Sequence, residues 1–392
     1  MRLYLTALNP TDAVLEGFLP AADSLGLPVT VLTDRPEEWP ARVPVSRCAV
    51  RDATAVVTAT VADPPIALLS NSDHLQEATA IAAGKLGLPG KNPEAARLCK
   101  DKAAMRRAFT AAGLDPVRAV TVNPGATPTA PRDLFPAVVK PRDGVASEDA
   151  YLVVDRSELA ARVAGIRRRR PDVALLVEEY LTGELHSYDT LGDGGSLALL
   201  GGWHTGLGPP PTFTELSLDW SLPPPGHDAQ LRTLLGVLGV GFGACHTEYV
   251  VQHDRIRLIE VNDRMIGDRM DLVLSDLLGV PLFAHIIRLH LGEPLAALDL
   301  PDPSAINRHA RVEYVCADRS GRLTTAPGRV DTVHDGVLLS CRPMREVGRV
   351  GEHTGTNRDY LAALHGIGPD PGTVRAALAA FRDGLRWRIM DG

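Results

Sequence analysis

The chain has 392 residues, of which 45% are hydrophobic and 23% charged, as is typical of a globular protein with two or three domains. Its formal net charge of −7 at pH 7 gives no reason to expect a nucleic-acid partner, because non-specific binding to phosphate backbones needs clustered positive charge. Pro10 and Asp12 interrupt any signal-peptide core, and no later run reaches about 18 apolar residues, so we expect neither secretion nor a membrane span.

The beginning of the chain alternates strand and helix signals. Short apolar runs predict strands at 2–8, 28–34 and 66–70, and helical spacing predicts helices at 12–25 and from Asp73 onward. Such alternation is typical of a parallel sheet. The sequence "LGLPG" then places a glycine and a proline after the last of these helices, which indicates a domain edge.

A second unit is predicted to begin with a helix. Asn92 is its expected N-cap, Pro93 suits the first helical turn, and Gly113 with Pro116 predicts its end. The pattern then changes to short β runs over residues 135–200. This change predicts a unit of mixed helices and strands.

Two features of the middle of the chain have more than one interpretation. The helix predicted from Asp155 ends in the basic run Arg167–Arg170, which we interpret as a solvated face that complements the helix dipole. The proline-rich segment 207–226 is long for a simple connection and predicts a functional loop or lid, with a plain surface excursion as the alternative. Paired strands over 245–262, a helical stretch and a final α+β segment from about residue 308 follow.

The paired strands place three polar side chains in an apolar segment. Glu260 and Asn262 share one face of their strand, and Glu248 lies on the preceding strand, which a turn near His253–Asp254 brings alongside. Three such oxygen donors suit a hard cation such as Mg²⁺. The alternative is a pair of exposed strand carboxylates that form ion pairs with neighbouring arginines, for which Arg255, Arg257 and Arg264 are the candidates.

Two lysines precede these strands. Lys102 lies at the start of a helical run, and Lys140 closes the apolar strand "FPAVVK", where a buried lysine needs an anion. The loop after Lys140 carries Gly144 and Ser147 and is short enough to fold its N–H groups over phosphates. The segment "VEEYLTGE" then leaves a strand through a polar linker, as a nucleotide-binding hinge would.

The order of these features resembles the ATP-grasp superfamily over roughly residues 95–300. The stretch "NSDHLQEATAIAAGKLGLPGKNPEAARLCKDKAAMR", the sequence "CHTEYV" and the C-terminal segment look like the L-amino acid ligase type of carboxylate–amine ligase. The resemblance implies an α/β and α+β multidomain fold. Its parts are a Rossmann-like N-terminal domain at 1–92, an ATP-grasp clamp at 93–300 and a C-terminal α+β domain at 301–392.

The resemblance also implies roles for individual residues. Lys102 and Lys140, with the Gly144 and Ser147 loop, would contact ATP phosphates. Arg264 would face the transferring phosphate or the substrate carboxylate. The adenine hinge is assigned to Glu178, Glu179, Tyr180 and Leu181. The ligands of Mg²⁺ (or Mn²⁺) are assigned to Glu248, Glu260 and Asn262.

Three further residues, Glu184, Arg269 and His246, are assigned individually. Relatives place the ribose glutamate where this chain has Leu185, so Glu184 is assigned to the ribose. Arg269 is assigned to a substrate carboxylate, with a surface salt bridge to Asp268 or Asp271 as the alternative. His246 is expected either to contact substrate or to order a metal ligand, or else to be a structural strand histidine.

The sequence therefore predicts an ADP-forming ligase that joins a carboxylate to an amine through an acyl phosphate. The alternatives are an ATP-grasp carboxylase-like or phosphotransferase enzyme, and a nucleotide-binding protein without catalysis. Expected partners are small-molecule carboxylate and amine substrates, with a homodimer left open and neither nucleic acid nor membrane. The five cysteines form no C-x-x-C pair, which favours reduced thiols in a cytoplasmic protein.

Overall fold

The computed structural model describes residues 2–114, 117–253 and 255–391, and within these ranges the chain forms twenty strands and ten α-helices. The strands are β1 (Arg2–Thr6), β2 (Val29–Thr33), β3 (Val45–Arg47), β4 (Pro65–Ser70), β5 (Ala119–Val122), β6 (Ala137–Pro141), β7 (Tyr151–Val153), β8 (Leu175–Glu179), β9 (Leu185–Asp193), β10 (Leu197–Leu207), β11 (Glu215–Ser221), β12 (Phe242–Gln252), β13 (Arg255–Asn262), β14 (His309–Cys316), β15 (Gly321–Thr325), β16 (Val330–His334), β17 (Val337–Pro343), β18 (Val350–Gly351), β19 (Tyr360–Gly368) and β20 (Arg388–Met390). The helices are α1 (Leu19–Ser24), α2 (Ala53–Ala59), α3 (Gln76–Lys85), α4 (Pro93–Lys100), α5 (Lys102–Ala111), α6 (Arg156–Arg169), α7 (His227–Leu238), α8 (Met270–Leu278), α9 (Leu282–His290) and α10 (Pro371–Asp383).

The N-terminal sheet is parallel, as the alternating pattern predicts, with strand order β3-β2-β1-β4. One of its faces packs on a π-helical turn, Ala13–Phe18, and on α9 from the middle of the chain. At that contact the rings of Phe18 and Phe283 meet edge to face, 5.0 Å apart. Gly17 makes this approach possible, because a Cβ there would lie 2.4 Å from the Phe283 ring.

A four-stranded antiparallel sheet, β5-β8-β6-β7, forms the first half of the middle unit. Helix α6 covers one of its faces and buries Leu159, Val163 and Ile166, which recur at helical spacing. Asp155 caps this helix by accepting the Glu158 backbone N–H at 2.9 Å. The other face of the sheet is therefore available to the functional site.

A nine-stranded sheet with the order β13-β12-β9-β10-β11-β14-β19-β17-β16 spans most of the rest of the molecule, and a separate three-stranded sheet has the order β18-β15-β20. Its strand pairing runs without a break across residue 300, since β11 pairs with β14 in antiparallel register. The prediction of a loop over residues 207–226 is wrong for the central part of this segment. Residues 215–221 form β11, in which Leu218 and Trp220 alternate inward, and only the proline-rich flanks are irregular.

The hairpin of β12 and β13 has the predicted pairing, with His246 opposite Asn262 and Glu248 opposite Glu260. Of its predicted turn, Asp254 lies outside the described residues, as does Pro116 of the predicted helix end. Helical residues 93–111 are divided in two by Asp101, which ends α4 and caps α5 by accepting the Ala104 N–H at 3.0 Å.

Across the described residues, no helix by itself has the length and apolar character needed to cross a membrane. Only α8 and α9 taken together, with a 99° bend between them, satisfy such a test on length and composition.

Candidate functional site

A cavity of about 360 Å³ opens between the four-stranded sheet and the nine-stranded sheet, within the size range of small-molecule sites. Most predicted site residues share its wall. They are Lys102, Lys140, Gly144, Ser147, Glu178, Glu179, Tyr180, Leu181, His246, Glu248, Glu260, Asn262 and Arg264. Arg269 and Glu184 are not part of this wall.

The predicted metal ligands lie side by side on the nine-stranded sheet. Glu248 and Glu260 are cross-strand neighbours, and the Asn262 amide N–H donates to Glu260 at 3.0 Å, which leaves its amide oxygen available. No group of three or more His, Cys, Asp and Glu side chains with metal-binding geometry occurs among the described residues. The predicted set has only two carboxylates and completes its donors with an amide oxygen, a combination that fits Mg²⁺.

Two acidic residues that the sequence analysis missed lie on the same wall. Glu215 at the start of β11 and Asp268 after β13 both line the cavity. Burial, together with the charges of Glu248 and Asp268, raises the pKa of Glu215 to about 8. The crowding of carboxylates on this wall therefore favours the protonated form of Glu215, and a cation in the cavity would favour its ionised form. Glu215 was missed because its segment was predicted to be a loop.

The two predicted phosphate lysines are buried and paired. The Lys102 ammonium lies 2.7 Å from Glu260 and donates to the Gly144 carbonyl at 2.9 Å. Lys140 lies 2.6 Å from Glu178, which also accepts from Arg106 at 2.7 Å. The anion that a strand-end lysine needs is thus Glu178, whose predicted role was in the adenine hinge.

The pKa values in this network follow from burial and charge. Burial alone would raise the pKa of Glu178, but Arg106 and Lys140 lower it to about 2. Burial lowers the pKa of Lys140, and the nearby Glu178 opposes this shift. The positive charges of Arg106 and Lys102 lower the pKa further. Burial is thus the main cause of the lowered pKa of Lys140, and an anion in the cavity would favour its charged form.

The loop after β6 has an unusual backbone. Ala146, Ser147 and Asp149 all adopt left-handed φ values of 55–57°, which are costly for residues other than glycine and are concentrated at functional sites. Asp149 accepts from Arg169, and Glu148 accepts from Arg358 at 2.9 Å. The loop is thus held from both sides, by α6 and by the C-terminal part of the chain.

The predicted hinge leaves β8 at the edge of the cavity. The Tyr180 N–H donates to the Pro136 carbonyl at 3.0 Å, and the Tyr180 ring lies 6.3 Å from that of Phe213. Gly183 has a φ of 141°, and a Cβ there would lie 2.7 Å from the Val251 carbonyl oxygen. The linker can therefore approach β12 closely only with glycine at this position.

His246 and Arg264 are each held by a carboxylate. The His246 Nδ1–H donates to Asp189 at 2.8 Å, and its Nε2 lies 3.4 Å from Glu248. Burial would lower the pKa of His246, but Asp189 and Glu248 raise it to about 10. The Arg264 guanidinium donates to Asp73 at 2.6 and 2.9 Å and keeps further N–H groups for the cavity.

The structure places the two remaining predicted residues elsewhere. Arg269 is buried on the far side of its loop and pairs with Asp12 and Glu16, each at 2.7 Å, rather than with Asp268 or Asp271. The Glu184 side chain is 75% exposed and lies 3.7 Å from the His186 ring nitrogen, whereas Leu185 lines the cavity. Neither residue lines the described cavity, because the backbone at each residue turns the side chain away from it.

Comparison with known proteins identifies the fold. No family model matches the chain. The uncharacterized protein y4rH of Sinorhizobium fredii is 27% identical over 321 residues, which are 77% of this chain but only 64% of that protein's length.

Several solved structures share the fold of this chain. Phosphoribosylglycinamide synthetase from Anaerococcus prevotii has a TM-score of 0.71 and 14% identity, with 99% of each chain covered. Biotin carboxylase from Campylobacter jejuni, in a β,γ-ATP complex, has a TM-score of 0.67 and 15% identity, with 100% of this chain and 92% of that one covered. The chain therefore has the ATP-grasp fold, as its sequence predicts.

Within this class, the chain resembles the L-amino acid ligase from Bacillus licheniformis. The TM-score is 0.81 at 20% identity, with 100% of this chain and 99% of that chain covered. At such identities the likeness concerns the fold, and the chemistry depends on the side chains of the cavity.

Proposed function

We propose that the protein is an ATP-dependent carboxylate–amine ligase that forms an amide or peptide bond and releases ADP and phosphate. The observation that carries this proposal is the cavity, in which Lys102 and Lys140 lie near the acidic wall of Glu248 and Glu260. Lysines that bind phosphates beside carboxylates that bind Mg²⁺ are what phosphoryl transfer from ATP requires. The full-length resemblance to an L-amino acid ligase supports an amino acid or a small biosynthetic carboxylate as substrate.

The nucleotide would lie between the two sheets. In this proposal its phosphates contact Lys102, Lys140 and the loop that carries Gly144 and Ser147, and its adenine lies at the linker of residues 179–181. Magnesium held by Glu248, Glu260 and Asn262 would neutralise charge on the phosphates. Arg264, fixed by Asp73, has the planar donors that suit a substrate carboxylate or the transferring phosphate.

The proposed reaction has two steps. An oxygen of the substrate carboxylate attacks the γ-phosphorus, the bond from that phosphorus to the β–γ bridging oxygen breaks, and ADP leaves as an acyl phosphate forms. The amine nitrogen then attacks the acyl carbon, its proton is lost, and phosphate leaves. Both steps depend on positioning and charge stabilisation rather than on a protein nucleophile.

The test is ADP release from ATP and Mg²⁺ with pooled amino acids, amines and hydroxy acids, followed by mass spectrometry of the products. ADP that requires both a carboxylate and an amine, with a new amide of the summed mass less water, supports the ligase. ADP formed with one acceptor alone would favour a phosphotransferase, and ADP that requires bicarbonate would favour a carboxylase-like enzyme. No ADP under any condition would favour nucleotide binding without catalysis.

Isotope labelling tests the acyl phosphate. With ¹⁸O in both oxygens of the substrate carboxylate, one label is expected in the released phosphate, because that oxygen crosses to phosphorus when the acyl phosphate forms. Label that stays entirely in the amide and the unreacted acid contradicts this route.

The metal assignment is tested by Glu260→Gln. This change removes one charged ligand at nearly constant size, so ADP formation is expected to fall on the order of 10²-fold. Glu77→Gln, an exposed change on α3, is the matched control and should leave the rate unaltered. Full ADP formation by the Glu260 variant at saturating Mg²⁺ would remove Glu260 from the metal site.

A further inference from the structure

A small recess of about 10 Å³ adjoins the cavity beside the start of α5. The recess and the cavity share wall residues, among them Lys102, Gly144 and Asn262. The remaining wall includes Lys100, the last residue of α4. The recess has room for a single oxygen-sized group, and it lies next to the residues proposed above to hold phosphates.

Lys100 differs from the other buried lysines of this protein. Its ammonium nitrogen is buried and has no hydrogen-bond partner among the described residues. By contrast, Lys91 lies 2.7 Å from Asp263, and Lys102 and Lys140 have Glu260 and Glu178 at 2.7 and 2.6 Å. A buried cation without a carboxylate is costly.

Two of the carboxylates near Lys100 are engaged by other cations. Burial is the main cause of the lowered pKa of Lys100, Asp73 opposes it most strongly, Lys102 adds to it, and Asp143 and Glu260 oppose it. Asp73 forms its ion pair with Arg264, and Glu260 forms its ion pair with Lys102. Lys100 thus adds positive charge at the phosphate end of the cavity that no ion pair in the described structure balances.

We propose that Lys100 is a third phosphate-binding lysine, whose ammonium group donates to an oxygen of the terminal phosphoryl group of ATP. This inference rests on the proposed function, because it takes ATP as the ligand of the cavity. The recess beside Lys102 and Gly144 accommodates one phosphoryl oxygen within reach of Lys100. In this proposal the phosphate supplies the negative charge that Lys100 lacks in the folded protein. Without ligand, the unpaired ammonium group of Lys100 lowers the stability of the fold.

The test compares nucleotides that differ in phosphate number. Titration calorimetry with Mg²⁺ measures binding of a β,γ-non-hydrolysable ATP analogue, ADP and AMP to the wild type and to Lys100→Met. The dissociation constant of the ATP analogue is expected to rise about 10- to 100-fold, as for loss of a charged hydrogen bond, while that of AMP stays unchanged. Lys85→Met makes the same change of charge at an exposed position and should alter neither constant.

A second measurement separates ligand binding from a purely structural role. Without ligand, Lys100→Met should unfold at the same or a higher urea concentration than the wild type, because it removes a buried charge that lacks a partner. Lys100→Gln, which keeps a donor without the charge, should show an intermediate affinity for the ATP analogue. A lower urea midpoint with unchanged affinity would overturn the inference, as would an equal loss of affinity for AMP.

These outcomes can be told apart from failure of the ligase proposal, because binding is measured without turnover. Amide formation together with unchanged ATP affinity in Lys100→Met would overturn only the role of Lys100. The expected loss of affinity without any amide product would overturn only the ligase. A wild-type protein that binds none of the three nucleotides would overturn both.

Discussion

The substitution Glu178→Gln tests the buried ion network most directly. The Glu178 carboxylate is 5% exposed and lies 2.7 Å from Arg106 and 2.6 Å from Lys140, so the amide would leave two buried cations without a counter-charge. Removal of one partner from such a pair costs about 3–5 kcal/mol. The pKa gives a similar magnitude, since lowering it from 4.5 to about 2 corresponds to about 3 kcal/mol of stabilisation of the ionised form.

The assay is urea unfolding at pH 7, followed by tryptophan fluorescence. The free energy of unfolding of Glu178→Gln is expected to lie about 3–5 kcal/mol below that of the wild type at an unchanged slope. Glu179→Gln is the matched control on the next residue. Its carboxylate is 20% exposed and accepts from Arg257 at 2.5 Å and from the Arg118 backbone at 2.8 Å, so a loss of about 1 kcal/mol is expected.

The pH dependence of the same variant has a defined sign. Because the pKa of Glu178 is lowered in the folded protein, its stabilisation is fully present above pH 4.5 and is lost as the pH falls toward about 2. The difference between wild type and Glu178→Gln should therefore narrow over that range. Equal losses for Glu178→Gln and Glu179→Gln, or a difference that does not change with pH, would refute the counter-ion role. An altered ratio of ATP to GTP affinity in the Glu178 variant would instead support the adenine hinge.

Two further predictions concern residues outside the cavity wall. Arg269→Lys should lower the free energy of unfolding by about 1–3 kcal/mol, because lysine cannot pair with both Asp12 and Glu16. The same variant should leave the KM of every substrate unchanged. A raised KM for one substrate would instead support the predicted role of Arg269 in binding a carboxylate. His290 is buried and donates from Nδ1 to the Ile286 carbonyl at 2.9 Å, and burial lowers its pKa from 6.5 to about 4. The stabilisation by neutral His290 is therefore fully present above pH 6.5 and falls by about 3 kcal/mol toward pH 4. Urea unfolding should show a smaller loss of stability over this pH range in His290→Phe than in the wild type. An equal loss in the two proteins would contradict the prediction.

The predictions that succeeded depend on local regularities. Strand alternation places Glu248, Glu260 and Asn262 on one face without any knowledge of the rest of the fold, and the β12–β13 register confirms their proximity. In the same way, helical spacing is sufficient to predict the buried stripe of α6.

The positions of Arg269 and Glu184 outside the cavity wall depend on the backbone path and on distant partners. Asp268 and Arg269 adopt consecutive left-handed conformations with φ values of 52° and 73°, so Asp268 faces the cavity while Arg269 turns back toward Glu16, which is 253 residues away in sequence. Glu184 follows Gly183, whose φ of 141° likewise changes the direction of the chain. No periodic pattern in the sequence reports such single-residue turns.

Contacts between distant segments were equally hard to read. Glu215 is held by Asn357, whose side chain accepts its N–H at 3.1 Å, and by the Tyr360 hydroxyl, which donates to its carbonyl at 3.0 Å. Both partners come from the last tenth of the chain. A single sequence contains no local signal for such contacts, so Glu215 could be found only from the structure.

The sheet continues without a break across residue 300, so we expect the predicted clamp at 93–300 and the C-terminal region to fold together. A fragment that ends at residue 300 would lose four of the nine strands and leave β11 as an edge, with unpaired backbone groups at Ser217 and Asp219 that invite aggregation. An exchange of this region between related proteins would have to keep Leu218 opposite Val312, because a shift of one strand by one residue would turn its apolar side chains to the opposite face. We therefore expect the boundary between the two regions to tolerate changes of amino acid far better than changes of strand register.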